Sequence, residues 1–329
     1  MPGELESRLR CTDHDQLALD AYREELVKLF KLAGLTAITR NLVPPCDERS
    51  IREVIGDLGT AGHPIASAPL FEYVTCALRD AVTKNTHTPE GLGAFILAAR
   101  DCRDTPSAVK LVAPEHLSTY KVILDEVVAS QDDIESRSVT ATLLNDTATS
   151  DYVQRCVDLI DRHVPHDLVE LSTFANTVVA FDHPDVSGTS VAGATGLIFI
   201  RPEDRTIDTI DHLIHEWSHN KFETILHTHR LWTDDERLHH SPIRGTPRPL
   251  YGVFHAIYVL LVVSEAMVHL MHVDELGDDA SRKIDSFVTE CDASLRALSD
   301  EPSLTEHGHK FVDLCLHWAE TISKERSAA

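Results

Sequence analysis

The stretch from Tyr251 to Met271 constrains the fold more than any other part of the chain, because it is the most apolar segment and is long enough to cross a bilayer. His255, Glu265 and His269 interrupt it, and each would be costly in lipid. The segment therefore reads as a helix buried inside a soluble protein. Ten of the twenty histidines lie between positions 207 and 272, so the same fifth of the chain that supplies this helix also concentrates imidazoles.

Around it the pattern is mostly helical. Apolar residues recur at helical spacing through Asp20–Leu32, Ile51–Leu58, Leu70–Val82, Leu92–Ala99, Tyr120–Ala129 and Tyr152–Arg162, with prolines as punctuation between several of them. Helices are expected again over Ile207–Leu226, Leu250–His272, Ala280–Leu298 and Leu304–Lys324. Thr177–Phe181 and Leu197–Ile200 are short runs rich in β-branched and aromatic residues, the signature of buried strands. The glycine-bearing DHPDVSGTSVAGATG between them lacks the Lys-Ser/Thr of a phosphate loop and reads as a turn. The expected class is mainly α with a small β-sheet. A soft boundary in the polar stretch Ser138–Ser150, itself rich enough in threonine to be a strand, divides an N-terminal helical region, 1–150, from a metal-binding region, 151–329.

Charge narrows the partners. With 30 Lys and Arg against 53 Asp and Glu the net charge is −23, and no basic run offsets it, which argues against nucleic acid and membrane surfaces. The seven cysteines are odd in number and contain no C-x-x-C pair, and the charged start of the sequence lacks a signal-peptide apolar core. These features point to the cytoplasm.

His215-Glu216-Trp217-Ser218-His219 is an H-E-x-x-H on a segment with helical periodicity, placed after an expected strand, and a zincin-like packing of this helix beside the small sheet is expected. Residues four apart on a helix lie one turn above each other, so both imidazoles can reach one divalent ion with Glu216 beside it. A third ligand must come from elsewhere. Phe222 and Ile225 occupy the positions where a metzincin has glycine and its third histidine, which excludes that subclass. The remaining choices are His255 and Glu265 on the apolar helix. They are ten residues apart and point about 80° away from each other, so they cannot both bind without distortion, and His255 is preferred.

The ordered segments GTSVAGATGLIFIRPEDR, LIHEWSH and SPIRGTPRPLYGVFHAIYV, spanning about residues 188–265, resemble the HExxH-motif family of natural-product enzymes, the 2-oxoglutarate-dependent HExxH-type peptide β-hydroxylases. The resemblance implies a non-haem Fe(II) oxygenase using 2-oxoglutarate and O2, with His215, His219 and His255 at the metal. It implies as well that the Arg-Pro segment lies beside the site. Three facial protein ligands would leave room for the keto-acid chelate and for dioxygen. The distal carboxylate of 2-oxoglutarate calls for arginine's planar fork, for which Arg248 comes first and Arg244 second, with Arg201 and Arg230 as alternatives. Glu216 would be the general base of a zinc hydrolase. In an oxygenase it would instead orient a ligand or a bound water.

The expected activity is hydroxylation of an unactivated carbon, the β-carbon first, of an amino acid that is peptide-embedded, free or carrier-bound. The rival enzyme is a zinc-dependent HExxH peptidase using His215, His219 and Glu265, against which Lys221, charged and just after the motif, counts modestly. The rival from outside catalysis is a protein in which the metal only stabilises the fold. The N-terminal region is assigned either to the substrate cleft or to a homo-oligomer interface.

Overall fold

The structure is a computed structural model that describes residues 13–58, 69–89, 92–101, 110–111, 117–130, 140–164, 174, 177–191, 193–233, 237–241 and 246–328. These residues are mainly helical with a small mixed sheet. They divide into two compact units, and the division does not follow a single cut near residue 150. One unit draws on Glu6–Ser150 and Ser172–Arg201, the other on Asp151–Leu171 and Pro202–Ala329.

The first unit contains helices α1 (Asp13–Thr39), α2 (Pro45–Asp57), α3 (Pro69–Lys84), α4 (Leu92–Asp101) and α5 (Leu117–Ser130). Its sheet takes strands from both parts of the unit: β1 (Lys110–Leu111), β2 (Thr142–Leu143), β3 (Thr177–Asp182), β4 (Gly188–Ser190) and β5 (Leu197–Ile200). The strand order is β1-β3-β5-β4, with β2 also paired to β3. The β3–β5 ladder is parallel, running from Thr177 opposite Leu197 to Ala180 opposite Ile200, and β4 returns antiparallel to β5. This pairing explains why 172–201 belongs with the earlier residues: β3 pairs with β1 and β2, strands that the first half supplies, and β5 pairs with β3. Both expected strands form. The stretch between them is a turn only in part, because Gly188–Ser190 adds a strand, while Gly193 and Gly196 take the positive φ that suits glycine.

The second unit is built from α6 (Thr147–His163), which enters it from Asp151, then α7 (Thr206–Thr228), the hairpin β6 (His239–Ser241) and β7 (Thr246–Arg248), α8 (Leu250–Leu270), α9 (Gly277–Leu298) and α10 (Glu306–Ala328). Helix α8 is the Tyr251–Met271 segment. It is apolar and long enough to cross a membrane, yet 83% of its most apolar window is buried inside the protein. It packs against α7, α9 and α10, so its all-round apolar surface is covered by helices rather than lipid.

Candidate metal centre

Helix α7 is oriented by its apolar face. Ile207, Ile210, Leu213, Ile214, Trp217 and Phe222 are buried, and at roughly 1.5–3 kcal/mol for each large apolar side chain this burial fixes which face of the helix turns inward. His215, His219 and Glu223, spaced four apart, form a half-buried stripe along the flank of that face, and Glu216 is buried. The first turn is anchored separately. Lys283 of α9 lies 3.0 Å from Asp208 and also contacts Asp211, and Arg205 pairs with Asp208 at 2.7 Å. Partial burial works to raise the Asp208 carboxyl, but Lys283, helped by Arg205, outweighs it and holds the group below its ordinary value. Burial opposes the charge on Lys283 too, and the two aspartates still raise its pKa.

Helix α8 brings His255, 8% exposed, to the α7 stripe. Its Nδ1 is 2.9 Å from His219 Nδ1, and the two rings stack with centroids 5.2 Å apart. His215 meets His219 edge-on, with centroids 4.9 Å apart. Phe222 and Tyr251 contact the His255 ring at 4.7 and 4.4 Å. The Nε2 of His255 lies 3.0 Å from Glu223 Oε1, an ion-pair distance without the alignment of a hydrogen bond, and the Tyr251 hydroxyl donates to the same carboxylate oxygen. Tyr251 is exposed, so the cluster reaches the protein surface at this end.

The donor chemistry fits a divalent transition ion. With imidazole bonds of roughly 2.0–2.1 Å at octahedral to tetrahedral angles, neighbouring ligand nitrogens on one ion are roughly 2.8–3.4 Å apart, and the His219–His255 pair, at 2.9 Å, lies at the short end of that spacing. Among the described residues, however, no group of three or more His, Cys, Asp or Glu is arranged to hold an ion as it stands. The two stacked rings touch each other directly, and His215 meets His219 edge-on.

The other predicted residues are distributed unevenly. Glu265 is half-buried, about 15 Å further along α8 than His255 at 1.5 Å rise per residue. His269, one turn beyond it, is exposed. Arg248 is half-buried at the end of β7, with its stem against Gly252: a methyl group there would stand 3.4 Å from Arg248 Cδ. It pairs across the hairpin with His239, and that histidine approaches buried Glu301 at 3.5 Å. Ser241 belongs to the same hairpin, and its buried hydroxyl has no hydrogen-bond partner among the described residues. Arg244 lies outside the described residues. The alternative cations are engaged with backbone: Arg201 donates to the carbonyls of His183 and Pro184, and Arg230 to those of Trp232 and Thr233. Lys221 is buried.

Sequence reasoning missed Glu223 and Tyr251. Both carry a signal in the i,i+4 rule, since Glu223 is one turn after His219 and Tyr251 one turn before His255. The chain matches no protein-family model and no curated protein.

Proposed function

We propose that the chain is an Fe(II)/2-oxoglutarate-dependent hydroxylase of an unactivated carbon, the β-carbon first, in an amino acid that is peptide-embedded, free or carrier-bound. The observation that supports it most is the approach of His219 and His255, from two different helices, to a nitrogen separation of 2.9 Å beside His215. In this reading those three imidazoles hold the iron. Bound iron supplies the means to couple oxidative decarboxylation of 2-oxoglutarate to insertion of one oxygen atom into a C–H bond.

The protein's own contribution is binding and orientation. Arg248, with Arg244 as the second choice, takes the distal carboxylate of 2-oxoglutarate through its planar fork. Phe222 and Tyr258, stacked at 5.1 Å, form an apolar wall behind His255 that keeps water from that side. Glu216, buried next to His215, orients a ligand or a bound water and is not required as a base. The zinc-peptidase alternative takes Glu265 as its third ligand, and the long step along α8 from His255 to Glu265 weighs against it.

The test is a succinate-release screen over amino acids and short peptides with Fe(II), 2-oxoglutarate and ascorbate. Substrate-dependent succinate with a product heavier by one oxygen atom is the expected result. Peptide cleavage with a zinc-loaded protein and no succinate would replace this reading by the peptidase.

A further inference from the structure

We infer that Glu223, backed by Tyr251, is a positioning residue that sets the tautomer of His255 and so decides which nitrogen of that ring faces the metal. The inference rests on the metal-centre reading above and adds a residue pair to it. A carboxylate can only accept, and the Tyr251 hydroxyl already donates to Glu223 Oε1. The His255 nitrogen 3.0 Å from that oxygen is Nε2, so Nε2 carries the proton in the neutral ring. The lone pair is then left on Nδ1, the atom 2.9 Å from His219. In the metal-free protein His219 Nδ1–H donates to it. A bound ion would take the Nδ1 lone pair of His255 while the Nε2–H stays on the carboxylate, and His219 would exchange its Nδ1 proton through solvent for one on Nε2.

This is the usual arrangement of a metal-binding histidine, whose second nitrogen donates to a carboxylate that fixes the ring and raises its basicity. The imperfect alignment of the Nε2 approach fits a contact that tightens on loading. Tyr251 and Phe222 hold the ring on two sides, and Glu223 faces its Nε2.

The experiment pairs 15N NMR of histidine tautomers in the metal-free protein with Co(II) titration followed by visible absorption, on wild type, Glu223→Gln, Glu223→Ala and Tyr251→Phe. Wild type is expected to show His255 as the Nε2–H tautomer. Glu223→Ala is expected to mix the tautomers and to bind Co(II) roughly 10–100-fold more weakly, with Tyr251→Phe losing less. Glu223→Gln, whose amide oxygen can still accept, should retain much of both properties and serves if the alanine variant is unstable. An Nδ1–H or evenly mixed His255 in wild type overturns the inference, as does unchanged Co(II) affinity in Glu223→Ala. If wild type binds no divalent metal, the oxygenase reading fails, and the tautomer of the metal-free protein still decides the role of Glu223.

Discussion

Two polar clusters sit at opposite ends of helix α7, and they are built on different principles. At the N-terminal end, charges of opposite sign meet: Asp208 and Asp211 with Lys283, Asp208 with Arg205, and Arg205 and Arg282 with Asp279. One helical span later, imidazole faces imidazole, with a carboxylate behind one of them. The first cluster balances its charge within the protein and needs nothing added, which makes it a clamp for the helix. The second places two ring nitrogens in contact with no opposite charge between them, an arrangement that gains most when a cation enters. Under the proposed function, the same helix carries one cluster that holds it in place and another that holds the metal.

The largest expected effect breaks the second cluster alone. His219→Ala or His255→Ala should weaken Fe(II) or Co(II) binding by more than about 100-fold, since each removes an imidazole outright, while thermal unfolding of the metal-free protein changes little. An H255A variant that binds iron normally would refute His255 as the third ligand.

Next in size, Lys283→Met breaks the first cluster. Removing the cation leaves Asp211 without its lysine and Asp208 with Arg205 alone, and should cost about 3 kcal/mol of stability, measured by chemical unfolding, with metal affinity preserved in the folded protein. The pH dependence has a defined sign. The lowered Asp208 carboxyl contributes stability above its ordinary value of 3.8, and that contribution is lost as pH falls through the lowered folded value. The raised Lys283 contributes stability below its ordinary value of 10.5, lost as pH rises through the folded value. The clamp is therefore intact across neutral pH and fails at both extremes. In the K283M variant the alkaline contribution should vanish and the acidic one should shrink.

A smaller and more selective effect is expected from Arg248→Ala: a rise of roughly 10–100-fold in the KM for 2-oxoglutarate, from loss of a bidentate charged contact, with the metal affinity kept. An unchanged KM would move the role to Arg244. The smallest change should be Glu216→Gln, which keeps most of the hydroxylation if Glu216 only orients. Complete loss of turnover with iron still bound would make Glu216 a participant in the chemistry.

How much of this was legible beforehand depended on the range of the interaction. The helix of the H-E-x-x-H motif and the buried character of Tyr251–Met271 follow from local periodicity, and both form as helices within two or three residues of the expected ends. The choice between His255 and Glu265 turned on which part of α8 meets α7. Wheel geometry showed only that they were alternatives, and packing of the two helices brings His255 to His219. Pro247 argues against a strand in the proline-rich segment before α8, yet His239–Ser241 and Thr246–Arg248 pair as the hairpin β6–β7, a structure that each arm gains only from its partner. Glu223 was overlooked for a similar reason. On α7 it reads as ordinary surface charge, and it gains meaning only when His255 and Tyr251 arrive from another helix.

The most direct measurement is anaerobic addition of Fe(II) and 2-oxoglutarate to the metal-free protein, read by visible absorption and by bound iron. A weak charge-transfer band with about one iron per chain is predicted, absent in His255→Ala and weakened in Arg248→Ala. Stoichiometric zinc uptake with no such band, and no succinate formed on admitting oxygen, would contradict the account.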